Sequence, residues 1–139
     1  MRKLIVLAAG VALTGCASTH AITPVAAADQ SVFARAETVR VTLANFKFAP
    51  ETLMLTAGKP YRIEIVNQAG GSHNFAAPEF FAASRMAAGD AGKVADGAIE
   101  LAGGETKAVS LVPTAGEYKL VCTHLGHAVL GMTGKIVVR

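Results

Sequence analysis

The chain has 139 residues, of which 52% are hydrophobic and 17% charged, with 14 glycines and no tryptophan. This length suits one domain of ordinary size, and the composition is that of a globular, turn-rich protein, which excludes a disordered chain, a collagen and a coiled coil. Without Arg2 and Lys3 of an expected leader, 11 basic residues (13 less two) face 10 acidic ones, a formal charge of +1. Because no Lys/Arg cluster contains interleaved aromatic residues, we expect no nucleic-acid partner.

The N-terminus has the features of an export signal. Arg2 and Lys3 are followed by an apolar run, residues 4–13, which is too short to span a membrane. The sequence Leu13-Thr14-Gly15-Cys16 resembles the lipobox of bacterial lipoproteins, in which the Cys is acylated and becomes the first residue of the mature chain. The alternative is ordinary cleavage after residues 26–28, but it would leave about fifteen residues after the apolar run, longer than such signals favour. Both interpretations place the domain outside the cytoplasm.

The residues after the lipobox predict how the domain is attached. Ala17, rather than an Asp, follows Cys16, which resembles lipoproteins that are passed on to the outer membrane. We therefore predict a signal peptide over residues 1–15 and a protein held at a bacterial membrane, the outer more than the inner. Residues 16–35 are rich in Ala, Thr and Ser without apolar periodicity, which predicts a flexible tether. The folded domain is expected over residues 36–139.

From residue 37 onward the pattern is that of β-structure. Apolar and polar residues alternate over residues 37–44, and we predict that this alternation continues through residues 45–48 before Ala49-Pro50 interrupts it. The later predicted strands are residues 53–55, Tyr61–Asn67, Ala98–Leu101, Thr106–Val112, Glu117–Cys122 and Thr133–Val138. Residues 78–96 are rich in Ala and Gly and are predicted to be an excursion with one short helix. Seven or eight short strands separated by turns predict an all-β Greek-key β-sandwich.

Cys122 is the centre of the candidate site. It has no disulfide partner, because the other cysteine belongs to the leader or the anchor, and a lone thiol in an oxidising compartment is buried, catalytic or bound to metal. Cys122, His127 and Met132 form the pattern Cys-x4-His-x4-Met between two predicted strands, which lets the three side chains converge. His73 completes the set if the strand ending near Gln68 lies beside the strand ending at Cys122. Two imidazoles, a thiolate and a weak thioether are the ligands of a blue-copper centre.

Other interpretations exist for the identity of the metal and for the role of each ligand residue. Zinc also binds Cys and His, but structural zinc sites use four strong ligands in paired clusters, which a Met ligand contradicts. His124 is a rival to His127, because it lies two residues from Cys122 on a strand-like face. Taken singly, such residues are more often a surface histidine, a buried thiol and a core methionine. Outside this constellation, we assign Met54, Met86 and His20 to the core, the excursion and the tether.

Three stretches resemble the cupredoxins, the small blue-copper proteins that include azurin, plastocyanin and the auracyanins, and the resemblance covers residues 37–139. The stretches are Phe46-Lys-Phe48-Ala-Pro50 with Ala57-Gly58, then Ser72-His73-Asn74-Phe75, and then Tyr118 to Cys122 continuing through Gly131-Met132 to Val138. The resemblance implies copper bound by His73, Cys122, His127 and Met132, with Asn74 tying the two ligand loops together. The loop spacing is most similar to that of the auracyanins. Ser72 stands where azurin has Gly, which leaves a fifth, carbonyl ligand open.

The ligand set predicts a function. Four protein ligands leave no position for a substrate, so we expect a one-electron carrier and not an enzyme. The resemblance also implies a docking surface around His127 for redox proteins such as cytochromes, made of Leu125, Gly126, Ala128, Val129 and Leu130. We expect a monomer at the periplasmic side of the membrane. Copper buffering or delivery without redox cycling, and a fixed place in a larger membrane redox complex, are the alternatives.

Overall fold

Two β-sheets with one core between them form the domain. The computed structural model describes residue 22 and residues 24–139, so the predicted signal peptide, lipidated Cys16 and His20 lie outside the described residues. The strands are β1 (Val25–Ala26), β2 (Glu37–Ala44), β3 (Lys47–Ala49), β4 (Thr52–Leu55), β5 (Tyr61–Asn67), β6 (His73–Ala76), β7 (Arg85–Met86), β8 (Ala98–Leu101), β9 (Thr106–Val112), β10 (Gly116–Val121) and β11 (Thr133–Val138). The strand order is β1-β7-β9-β5-β2-β3 in the six-stranded sheet and β4-β11-β10-β6-β8 in the five-stranded sheet.

Alternation of buried and exposed side chains builds the two layers. In β5, Tyr61, Ile63 and Ile65 are buried and Arg62 is exposed, because successive side chains of a strand point to opposite faces. The inward side chains of both sheets belong to one hydrophobic core. The predicted all-β sandwich is therefore confirmed. The bounds predicted for the strands at 98–101, 106–112 and 133–138 are those observed.

The predicted continuation of the first strand through residues 45–48 is wrong. β2 ends at Ala44, and the chain reverses through Asn45 and Phe46 into β3, which places Leu43 opposite Phe48. Phe46 has a φ of 64°, in the left-handed region. The apolar positions change from odd to even numbers at this turn, which a continuous strand would not do. β3, together with the two-residue strands β1 and β7, raises the number of strands in the described part of the chain to eleven, above the seven or eight predicted.

His73 reaches the site on its own strand, not through the strand ending near Gln68. The predicted site required the strand ending near Gln68 to lie beside the strand ending at Cys122. This condition is wrong, because β5 lies in the other sheet, between β9 and β2. β6, which begins at His73, is the strand beside β10, with Ala76 opposite Val121. The loop after β5 carries the chain from one sheet to the other. The first histidine is thereby brought next to the strand that ends before Cys122.

Two segments within the tether predicted over residues 16–35 have regular structure. β1 pairs in parallel with β7, and the Ala27 N–H donates to the Met86 carbonyl oxygen at 2.8 Å. A 3-10 helix follows over Gln30–Arg35. Main-chain pairing at a sheet edge requires no apolar periodicity, so the sequence pattern carried no signal for it.

The excursion over residues 78–96 contributes to the core. It contains helix α1 (Pro78–Ala83), β7 and a 3-10 helix (Ala91–Lys93). Phe80, Phe81 and Met86 are completely buried. No helix in the described ranges is long and apolar enough to cross a membrane.

Met54 is not a core residue, and that prediction is wrong. Its side chain is 55% exposed, whereas Leu53 and Leu55 on either side are buried. Alternation along β4 explains the difference, because only the two leucines point into the sandwich.

Candidate metal centre

The loop from Cys122 to Met132 is closed by its own main chain. The Cys122 N–H donates to the Met132 carbonyl at 3.1 Å, and the Met132 N–H donates to the His127 carbonyl at 3.0 Å. Gly126 and Gly131 have φ angles of 82° and 103°, which favour glycine and allow the chain to reverse within the loop. The thiol, the second imidazole and the thioether are thus held at the same end of the sandwich.

Three of the predicted ligand atoms form a compact triangle. His73 Nδ1 and His127 Nδ1 are 3.1 Å apart, and Cys122 Sγ lies 3.9 Å from the first and 3.4 Å from the second. The point equidistant from these atoms lies about 2.0 Å from each, close to the length of a metal–nitrogen or metal–sulfur bond. These residues are also the one cluster of three His, Cys, Asp or Glu side chains with metal-binding spacing in the part of the chain that the structure describes. The donor set fits a metal ion.

Comparison with known proteins identifies the metal. The model of the copper binding proteins of the plastocyanin/azurin family matches residues 35–139. The chain belongs to this family. Among solved structures, auracyanin B is 25% identical, with 75% of this chain and 89% of auracyanin B covered at a TM-score of 0.54. A dithionite-reduced auracyanin from the photosynthetic bacterium Roseiflexus castenholzii is 17% identical, and this likeness shows the fold alone. The match covers 75% of this chain and 98% of that auracyanin at a TM-score of 0.56. No curated protein matches the chain.

In this cupredoxin, His73, Cys122, His127 and Met132 are arranged as a type 1 copper site. Cys122 and Met132 are completely buried, His73 almost so, and His127 is partly exposed. A thiolate and a thioether favour copper over the hard oxygen-binding metals. The second histidine is therefore the ligand that connects the buried centre with the surface.

His73 is held in the neutral form that binds metal. Burial is the main cause that lowers the pKa of His73 below its ordinary value of 6.5, and electrostatic interactions with His127 and then His124 lower it further. With Nδ1 in the triangle, its Nε2 is buried and has no hydrogen-bond partner among the described residues. No described residue thus provides the hydrogen bond that usually orients a metal-binding imidazole at its other nitrogen.

Asn74 links the first-ligand strand to the ligand loop. Its Oδ1 accepts a hydrogen bond from the Thr123 N–H at 2.9 Å, and its Nδ2 donates to Thr123 Oγ1 at 2.7 Å. This is the connection that the family resemblance implied. His124, the rival ligand, lies outside the triangle, and its Nε2 is 2.9 Å from Glu100 Oε2.

Sequence reasoning missed Phe46 and Glu100. The Phe46 ring meets His127 edge-on, with centroids 5.4 Å apart and planes at 88°. The change from odd to even apolar positions near Phe46 could have indicated the turn that puts it there. No local pattern could have indicated Glu100, because its neighbours come from strand pairing and from a distant loop.

Proposed function

We propose that this cupredoxin is a one-electron carrier at the periplasmic side of a bacterial membrane. When bound at the site, copper supplies a one-electron couple between Cu(II) and Cu(I). The two imidazoles, the thiolate and the axial thioether leave no open position at which a substrate could be turned over, which supports a carrier in preference to an enzyme. A trigonal site with a weak axial ligand is the coordination used by electron-transfer copper proteins.

The position of His127 is the observation that carries this proposal. Its ring is partly exposed, and Leu125, Val129 and Leu130 around it are the large apolar residues most exposed at this end of the domain. Phe46 is also exposed and lies against the His127 ring. Clustered apolar side chains in water are characteristic of a docking surface. A redox partner seated there would be separated from the metal by one imidazole, which favours transfer through His127.

Attachment to the membrane is a separate part of the proposal. The lipobox-like sequence ending at Cys16 supports a mature protein whose first residue carries the lipid. Mass spectrometry of the protein purified from membranes should find a diacylglycerol on Cys16 and no residues before it. An N-terminus after residue 26, without lipid, would contradict the anchor but leave the carrier function intact.

The test of the function uses the full-length protein in detergent. Addition of Cu(II) to the metal-free form should produce an intense visible band from charge transfer between thiolate and copper. Reduced cytochrome c should then bleach this band in a rapid second-order reaction, as one electron leaves the haem and Cu(II) becomes Cu(I). A protein that binds only Cu(I), or that forms the band but exchanges electrons no faster than free copper, would favour copper buffering or delivery.

A further inference from the structure

Glu100 connects the strand of the first ligand with the loop of the second. It lies on β8, the edge strand of the five-stranded sheet, directly opposite Asn74 of β6. One carboxylate oxygen accepts a hydrogen bond from Asn74 Nδ2 at 2.6 Å, and the other lies 2.9 Å from Nε2 of His124. A single side chain thus contacts the strand of the first ligand and the loop of the second.

Among the described residues, three imidazoles, not two, lie at this end of the protein. The ring centroids of His73 and His127 are 4.8 Å apart, and the His124 ring is 5.4 Å from His127 and 6.5 Å from His73. His124 is partly exposed and belongs to the same loop as Cys122 and His127. His124 thus lies beside the ligand triangle without being part of it. Proximity alone therefore does not determine which imidazole of this loop binds copper.

We propose that Glu100 determines this choice, by holding His124 away from the metal and leaving His127 as the second imidazole ligand. The contact engages Nε2 of His124 with a carboxylate, and hydrogen bonds to charged groups are the stronger kind. The Glu100 side chain is 59% exposed, so solvent weakens its contact with His124. Its position is nevertheless defined, because the hydrogen bond from almost completely buried Asn74 fixes the other carboxylate oxygen. Glu100 is a positioning residue of the copper site.

The variant Glu100→Ala tests this proposal in the full-length protein loaded with Cu(II). We expect two overlapping copper species in its electron paramagnetic resonance spectrum, because His124 now competes for the metal. The double variant Glu100→Ala/His124→Gln should return to a single species with the wild-type hyperfine splitting. The second species persisting in the double variant would overturn the role of His124.

Glu117→Ala is the matched control. Glu117 is another exposed glutamate of the five-stranded sheet, on β10, and makes no ion pair or side-chain hydrogen bond to the described residues. It should leave the spectrum and the copper affinity unchanged. His124→Gln alone should also keep the wild-type spectrum, since this histidine is not a ligand. Loss of the blue colour in that variant would overturn the proposal, because it would make His124 the ligand.

A measurement on the metal-free protein separates positioning from general destabilisation. In wild type, the His124 Nε2–H should be visible by NMR as a proton protected from exchange by Glu100, and Glu100→Gln should remove that protection. Circular dichroism of both Glu100 variants should show the wild-type fold. An unchanged His124 signal in Glu100→Gln, together with a single wild-type copper spectrum in Glu100→Ala, would show that Glu100 does not control the ligand choice.

Discussion

Asn74 and Thr123 hold each other through two reciprocal hydrogen bonds, one to the main chain and one between side chains. Thr123 directly follows the ligand Cys122, and Asn74 directly follows the ligand His73. The pair therefore couples the positions of two copper ligands that are 49 residues apart in sequence. Both donor hydrogens of the Asn74 amide are used, one by Thr123 and one by Glu100.

Replacing Asn74 should loosen both ligand segments. We expect Asn74→Ala to lower the free energy of unfolding of the metal-free protein by about 2 kcal/mol, because it removes both hydrogen bonds between Asn74 and Thr123, each of which contributes about 1 kcal/mol. Thr123→Val removes only the side-chain partner and should have a smaller effect. Urea denaturation measures both, and Gln68→Ala, at an exposed position, is the control. An effect of Asn74→Ala no larger than that of the control would contradict the link.

Replacing each of the two sulfur ligands should have a different effect on the colour and the reduction potential of the copper-loaded protein. Cys122→Ser should abolish the intense visible band, because a hydroxyl cannot provide the thiolate charge transfer. Met132→Gln should retain copper and colour but shift the reduction potential, since the axial ligand tunes it. Absorption spectra and redox titrations provide the measurements. Unchanged colour in Cys122→Ser would refute the ligand assignment.

The metal-free protein should become less stable in mild acid. The pKa of His73 is lowered in the folded chain, mainly by burial, so the unfolded chain takes up the proton at higher pH. The free energy of unfolding should therefore be fully retained above the ordinary pKa of 6.5 and should fall as the pH drops from there toward the folded pKa. Urea denaturation of metal-free wild type and His73→Gln between about pH 7 and pH 5 tests this. Equal slopes in the two proteins would exclude His73 as the cause.

Gly103 should tolerate no side chain. A Cβ atom there would lie 2.3 Å from the Gly70 carbonyl oxygen, in the loop that leads to His73. We expect Gly103→Ala to cost about 2 kcal/mol of unfolding free energy, since backbone has to move to relieve the overlap. Gly70→Ala is the matched control, because a Cβ at Gly70 meets nothing within 4 Å. If thermal unfolding showed Gly70→Ala to be less stable than Gly103→Ala, Gly103 and the loop that contains Gly70 would not be in contact.

The apolar residues around His127 should affect electron transfer without affecting stability. Leu125 is fully exposed and Val129 is 91% exposed, so replacing either by Ser removes no core contact. We expect the second-order rate with cytochrome c to fall by about fivefold, which corresponds to about 1 kcal/mol of docking free energy. Met54→Ser, an exposed apolar residue on β4, should leave the rate unchanged. Equal rates in all three variants would remove the docking surface from the proposal.

Sequence pattern predicted those features that are local in the chain. Cys122, His127 and Met132 fall within eleven residues, so their spacing alone indicated a metal loop. Strands with one buried face were also readable, because alternation at period two reports burial directly. The turn at Phe46 was missed although the alternation changes phase there.

Features that depend on strand pairing were not predictable in this way. The proximity of Glu100 to Asn74 follows from the β6–β8 register, and β1 joins β7 through main-chain groups alone. For the same reason, β5 was expected beside β10 where β6 is found. The chain crosses from one sheet to the other between β5 and β6, and no residue pattern indicates this crossing. Pairing is decided by contacts between distant segments, which one sequence does not display.

The chain joins the sandwich at the end remote from copper. β1 lies beside β7, and Arg85 of β7 is opposite Val112 at the C-terminal end of β9. The other end of β9, where Thr106 faces Val66, adjoins the loop that leads to His73. A molecule immobilised on an electrode or a bead through β1 would therefore turn its imidazole-bearing tip toward the solution, so that a current relayed by a dissolved mediator should exceed direct exchange with the support.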